Sequence, residues 1–216
     1  MDAQFWHQKW EINDIAFHQS QANPALVAHF DKLALPPESR VFVPLCGKTL
    51  DIHWLLANGY CVVGAELSRI AVDQLFADLK LDPIVSLSGD SQRYSAEGID
   101  VFVSDVFHVT SEMLGSVDAV YDRAALVALP EKMRIRYAAH VIEITNCAPQ
   151  LLISFVYDQR RMDGPPFSVN DEEIHRHFGD SYQLTCLSNE EVPGGLKGKC
   201  AAAEAVWLLR SRVPSA

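Results

Sequence analysis

The chain has 216 residues, 49% of them hydrophobic and 21% charged, with 18 Lys and Arg against 28 Asp and Glu for a formal net charge of −10. That length supports one substantial core and is short for two, so a single domain spanning residues 1–216 is expected. The acidic balance disfavours nucleic acid, whose phosphates are bound by basic surfaces that displace counterions, and apolar runs such as 124–129 and 151–156 are far below the roughly 18 to 20 residues that cross a bilayer.

A cytoplasmic protein, acting as a monomer on a small molecule, is therefore expected, with no nucleic acid or membrane as partner. Asp2 opposes a signal peptide. Five scattered cysteines, none spaced as C-x-x-C, argue against a disulfide framework and against a thiolate zinc site. His175 and His177 stand close, but two residues apart on a helix they point to different faces, so no metal is expected.

The opening segment carries Trp6 and Trp10 four apart, on one side of a possible helix, followed by Phe17. Such aromatics either pack into the core or roof a ligand site. Asn23 can cap a helix with Pro24 at its first position and Leu26, Val27, Phe30 and Leu33 on one side. The β-branched run at 41–45 reads as a buried strand, and Leu50, Trp54 and Leu55 make the next helical stripe, stopped by Asn58 and Gly59. A second strand at 61–65 leads to a helix capped by Ser68 that carries Ala71, Leu75 and Leu79. Strands at 101–103, 117–121 and 151–156 follow. Pro130 opens a helix with Met133, Tyr137, Val141 and Ile144, and Asn170 with Glu173 three residues later resembles a capping box before Ile174 and Phe178.

Alternating strands and helices imply right-handed crossovers and a doubly wound, mostly parallel α/β sheet. The last two strands, 182–187 and 203–209, are joined by the polar stretch 188–202, which has no room for a crossover helix. They are expected to close the sheet edge as an antiparallel hairpin. This is the plan of a Rossmann-like class I methyltransferase, with residues 1–34 as an N-terminal helical cover.

Ligands of such sheets bind beyond the carboxyl ends of the strands, so the strand-to-helix turns are the place to look. After the first strand, Pro44-Leu45-Cys46-Gly47-Lys48-Thr49 has one glycine where dinucleotide sites have G-x-G-x-x-G. Gly47-Lys48-Thr49 also fails as a phosphate loop, because the position five before Gly47 is Phe42. Glu66 ends the second strand at nearly the spacing of about 20 residues from that turn at which a carboxylate accepts both ribose hydroxyls. An acidic group just before Ser68 could equally favour a helix N-terminus. Asp105 follows the third strand, where a carboxylate could accept from an adenine amino group beside apolar Val106. Asp122 and Arg123 end the fourth strand, placed either to face a ligand or to pair at the surface.

FWHQKW at the start, AFHQ at 16–19, VPLCGKTLD, GAELS, YDRAALVALP, Tyr157 with Asp158, and GPPFSV occur in order along nearly the whole chain. In this ordered set the sequence resembles the thiopurine S-methyltransferase family, in its bacterial branch. The resemblance implies an S-adenosylmethionine-dependent S-methyltransferase acting on thiopurines or similar small aromatic thiols. It implies that Trp10, Leu45, Glu66, Asp105, Val106 and Arg123 contact or surround the S-adenosylmethionine, and that Phe17 and Arg123 lie near the acceptor. In animal members a second arginine near the acceptor lies between the last two strands, where this chain offers Lys197 and Lys199. Selenium or tellurium species are alternative acceptors, and a non-catalytic S-adenosylmethionine-binding protein is the alternative in kind. No catalytic acid or base is expected, because heteroaromatic thiols ionise near neutral pH.

Overall fold

The computed structural model describes residues 3–15 and 19–212. Phe17, with the rest of 16–18, lies outside them. The described strands are β1 (Arg40–Pro44), β2 (Cys61–Glu66), β3 (Ile84–Ser88), β4 (Ser91–Ala96), β5 (Ile99–Val103), β6 (Ala119–Arg123), β7 (Gln150–Tyr157), β8 (Tyr182–Glu191) and β9 (Ala202–Ser211). They form one nine-stranded sheet in the order β3-β4-β5-β2-β1-β6-β7-β9-β8. The segment from β5 to β7 is parallel throughout, and β9 and β8 continue it antiparallel, as the missing crossover helix requires. Strand order reverses at β1 and β6, the point where a crevice opens in such sheets.

The expected Rossmann-like class I plan is present, with one element added. The chain between α4 (Arg69–Leu79) and β5 folds into the antiparallel hairpin β3–β4 on the far edge. Its first strand is exposed from Ile84 to Leu87, so it shows no inward apolar alternation that periodicity could detect. The last pair also runs longer than expected, which leaves a shorter connection at 192–201, and it carries a bulge between Cys186 and Ser188.

Strand residues alternate between two cores. Val41, Val43, Val62, Val101, Tyr121 and Leu151 face one side, where α2 (Pro24–His29), α3 (Leu50–Ala57) and α4 supply Leu26, Ile52, Leu55 and Leu75. Phe42, Val63, Phe102, Val120 and Leu152 face the other, covered by α5 (Ser111–Leu114), α6 (Glu131–Ile144) and α7 (Asp171–Phe178) through Leu114, Tyr137, Val141, Ile174 and Phe178. Because the parallel strands are covered on both faces, their apolar runs are nearly continuous.

The caps fall where expected. Asn23 accepts from the amides of Ala25 and Leu26, and Ser68 accepts from Ala71. Val27 departs from its expected place, since α2 ends after six residues and turns it outward, half exposed. Asn170 accepts from Glu173 N at 3.0 Å, but Glu173 does not complete the box. Its carboxylate instead takes two bonds from Arg134 on α6 (2.6 and 3.1 Å) and one from His177 (3.0 Å).

This buried ion pair fastens α7 to α6. Despite burial, the two partners hold the Glu173 carboxyl down at about 2, so its contribution is present above the ordinary carboxylate range near 4.5 and is lost as pH falls from there through about 2. Glu173→Gln leaves Arg134 charged without its counter-ion, and destabilisation of about 3 to 5 kcal/mol at pH 7 is expected. Denaturant titrations of both proteins should show the gap narrowing between pH 5 and about 2.5, the direction set by the lowered pKa.

Candidate active site

The carboxyl ends of β1, β2, β5, β6 and β7 open on a cavity of about 560 Å³, within the usual range for small-molecule sites. The first turn explains its own sequence. Pro44 ends β1, Leu45 takes a left-handed φ of 48°, and Cys46 N returns to the ladder through Ala65 O at 3.0 Å. Cys46 is buried, and burial followed by the charge of Glu66 pushes its thiol well up, so it is a packing group rather than a nucleophile. A Cβ on Gly64 would stand 2.9 Å from Cys46 Sγ, which accounts for glycine in the neighbouring strand.

Gly47 turns its amide onto Glu66 Oε2 at 2.8 Å, and Ser68 N meets Oε1 at 2.8 Å. Glu66 therefore cannot be read as a helix-start acid alone, because it also closes the gap between the first two turns. Burial raises its pKa, opposed by backbone bonds from Ser68, Gly47 and Leu67. The indole of Trp10 lies over Gly47, close enough that a Cβ there would come within 3.2 Å of the ring. Trp10 is buried in this position and still lines the cavity.

Arg123 reaches the cavity from the end of β6. Its Nε donates to Asp51 Oδ2 at 3.0 Å, and its Nη2 to Thr49 (3.1 Å) and Gln19 (3.4 Å). Asp51 is fully buried in the first turn of α3 and also accepts from Tyr121 Oη at 3.0 Å and from Asn23 N at 2.7 Å. Burial opposes the charge on Arg123, but Asp51 and Tyr121 outweigh it and raise the pKa, so the guanidinium is a fixed cation. Ala124 next to it also has a left-handed φ, 70°. Left-handed residues other than glycine thus flank the switch point on both sides, a conformation that costs of order 1–3 kcal/mol each and concentrates at ligand sites.

Asp122 turns the other way. It is buried, accepts from Leu126 N (3.1 Å) and Tyr137 Oη (2.6 Å), and is pushed up to about 6 by burial. It shapes the turn after β6 and pairs with nothing at the surface. Asp105 lines the cavity while capping the turn that carries Val106, accepting from Phe107 N at 3.0 Å. Trp10, Leu45, Glu66, Asp105, Val106 and Arg123 thus all border one cavity, and Phe17 lies outside the described residues.

Sequence reasoning passed over Asp51 as a site residue, although a carboxylate between Leu50 and Ile52 on an apolar helix is the signal of a buried acid with partners. It also missed the apolar wall of Leu129, Met133, Phe155 and Leu196, which comes from distant elements. Gly164, Pro165 and Pro166, with cis bonds before both prolines, complete that wall.

Residues 1–211 match the model of the family described as thiopurine S-methyltransferase. The chain belongs to the thiopurine S-methyltransferase family. It is 54% identical over 210 residues to the thiopurine S-methyltransferase of Xanthobacter autotrophicus, covering 97% of this chain and 99% of that one. To that of Teredinibacter turnerae it is 51% identical over 215 residues, the full length of both. Among solved structures it resembles the 1,6-didemethyltoxoflavin-N1-methyltransferase of Burkholderia thailandensis, crystallised with 1,6-didemethyltoxoflavin and S-adenosylhomocysteine, with a TM-score of 0.66, 13% identity and coverage of 97% and 86%. An S-adenosylmethionine-dependent methyltransferase from Anabaena variabilis gives 0.63, 14%, and 97% and 95%. These likenesses establish the class I methyltransferase fold.

Removing the buried anion tests the scaffold under Arg123. Asp51→Asn leaves a guanidinium with its charge uncompensated, and a loss of about 3 to 5 kcal/mol in denaturant-measured stability is expected.

Proposed function

We propose that this protein transfers a methyl group from S-adenosylmethionine to the sulfur of a thiopurine or a similar small aromatic thiol. The observation that carries this reading is the convergence of Glu66, Asp105 and Arg123 with Trp10 and an apolar wall on one cavity, in a chain of this family. The donor set suits S-adenosylmethionine: a carboxylate ends β2 for the ribose, a second carboxylate and Val106 follow β5 for the adenine, and a turn with a single glycine takes a methionine tail rather than a pyrophosphate.

When bound, S-adenosylmethionine supplies an electrophilic methyl group, which passes to the acceptor sulfur as the sulfonium becomes a neutral thioether. In this reading Glu66, held by two backbone amides, presents its remaining lone pairs to the ribose hydroxyls. Trp10 closes the cavity over Gly47 and keeps water out, which suits a step in which opposite charges cancel. Arg123 keeps its cationic face on the cavity and favours an anionic acceptor, so thiol ionisation needs no strong base. Orientation of donor and acceptor then supplies most of the acceleration. Leu45 contributes its turn and Phe17, from the covering segment, an aromatic contact to the acceptor. Within the expected 1–34 cover, Trp6 and Trp10 border the cavity, whereas Leu26, Phe30 and Leu33 pack into the core, so the covering role falls to the part before Asn23.

Calorimetry with S-adenosylhomocysteine should show one site in the parent and an affinity lower by about 1.5 to 3 kcal/mol in Glu66→Ala, the range for bonds to a charged group. No binding in the parent refutes the reading. Arg123→Lys keeps the charge but loses the planar fork, so the rate with labelled S-adenosylmethionine and 6-mercaptopurine should fall well beyond any loss of thermal stability. Unchanged turnover removes Arg123 from acceptor orientation.

A further inference from the structure

A second recess, of about 270 Å³, adjoins the main cavity and shares Gly164, Pro165 and Lys197 with it. Arg160, Arg161, Lys197 and Lys199 border it, with Asp163 as the acid. In a chain of net charge −10 this is a concentrated positive field. Arg160 is held by Asp158 at 2.9 Å, whereas Arg161, Lys197 and Lys199 have no ion-pair partner among the described residues.

The two lysines are placed by backbone design. Leu196 and Cys200 form a bridge, Lys199 N bonds Leu196 O at 3.0 Å, and the central Lys197 and Gly198 have positive φ of 53° and 65°, the pattern of a type I′ turn. Gly195 permits it, since a Cβ there would stand 2.3 Å from Cys200 O. Lys197 Nζ donates to Pro165 O at 2.9 Å, which pins the turn to the rim shared by the two cavities. Burial and then the like charges of Lys199 and Lys9 lower the Lys197 pKa against the opposing charge of Asp14, so the turn gathers like charges at this rim.

We propose that this recess binds an anionic substituent of the acceptor, on the side of the molecule away from the thiol, while the aromatic ring lies in the main cavity. The proposal rests on the methyl-transfer reading for the identity of the ligand. It assigns Arg161 and Lys199 as specificity residues outside the reacting centre. The S-adenosylmethionine carboxylate is not the expected occupant, because the turns suited to that ligand follow β1, β2 and β5, whereas the recess opens beyond β7 and the β8–β9 turn.

The test compares 4-mercaptobenzoate with its uncharged methyl ester, each titrated into protein saturated with S-adenosylhomocysteine. At low ionic strength the carboxylate should bind about five- to tenfold more tightly, the preference collapsing at about 0.5 M NaCl as exposed charges are screened. In the double variant Arg161→Ala with Lys199→Ala the preference should vanish while the ester binds as before. A parent without preference, or a preference that survives the double substitution, overturns the proposal. Methyl transfer to both thiols is measured alongside. Absent transfer with the charge preference intact refutes the methyltransferase reading and leaves the recess standing, whereas transfer without preference does the reverse.

Discussion

One buried carboxylate organises the ligand end of this molecule. Asp51 is fully buried, and its charge is met by Arg123, Tyr121 and the backbone of Asn23. Those three partners come from β6 and from the start of α2, while Asp51 itself opens α3. An anion in low dielectric is tolerated only when its donors are in place, so the arrangement fixes the register of all three elements. Arg123 is aimed at the cavity as a consequence of satisfying Asp51.

Glu66 plays the matching part on the other side of β1. Its two oxygens bridge Gly47 and Ser68, so the turns after β1 and β2 cannot move independently. The first turn thus needs a single glycine for two reasons. The amide meets Glu66 with Gly47 at a left-handed φ of 51°, and the ring of Trp10 occupies the space a side chain would take. Two amides of the kind that a glycine-rich loop offers to a pyrophosphate are taken here by the carboxylate.

Much of this was legible in the sequence, for reasons that differ by element. The doubly covered strands betray themselves as short apolar runs, and Asn23, Ser68 and Asn170 announce helix starts through side-chain chemistry that acts within three residues. The spacing of Glu66 from the first turn, which sheet geometry dictates, singles out a residue that the structure places on the cavity. The hairpin β3–β4 escaped because Ile84, Val85 and Leu87 are exposed on an edge, where no buried face imposes alternation. Asp51 and Asp122 were misjudged or passed over because burial of a single acid depends on donors more than ten residues away, such as Tyr121 and Tyr137.

The unforeseen hairpin has a reach beyond the sheet edge. At its near end Ser91 Oγ donates to Ser104 Oγ at 2.9 Å, and Ser104 in turn bonds the carbonyl of Asp105, at the margin of the cavity. Gln92 pairs with Val103, so the ladder between β4 and β5 carries Ser91 to the end of β5, and the tip at Gly89 and Asp90 joins β3 to β4. The exposed edge of the sheet is thus tied to the cavity margin by two hydroxyls in series, so the far hairpin bears on the turn after β5 through side-chain hydrogen bonds and not through the core.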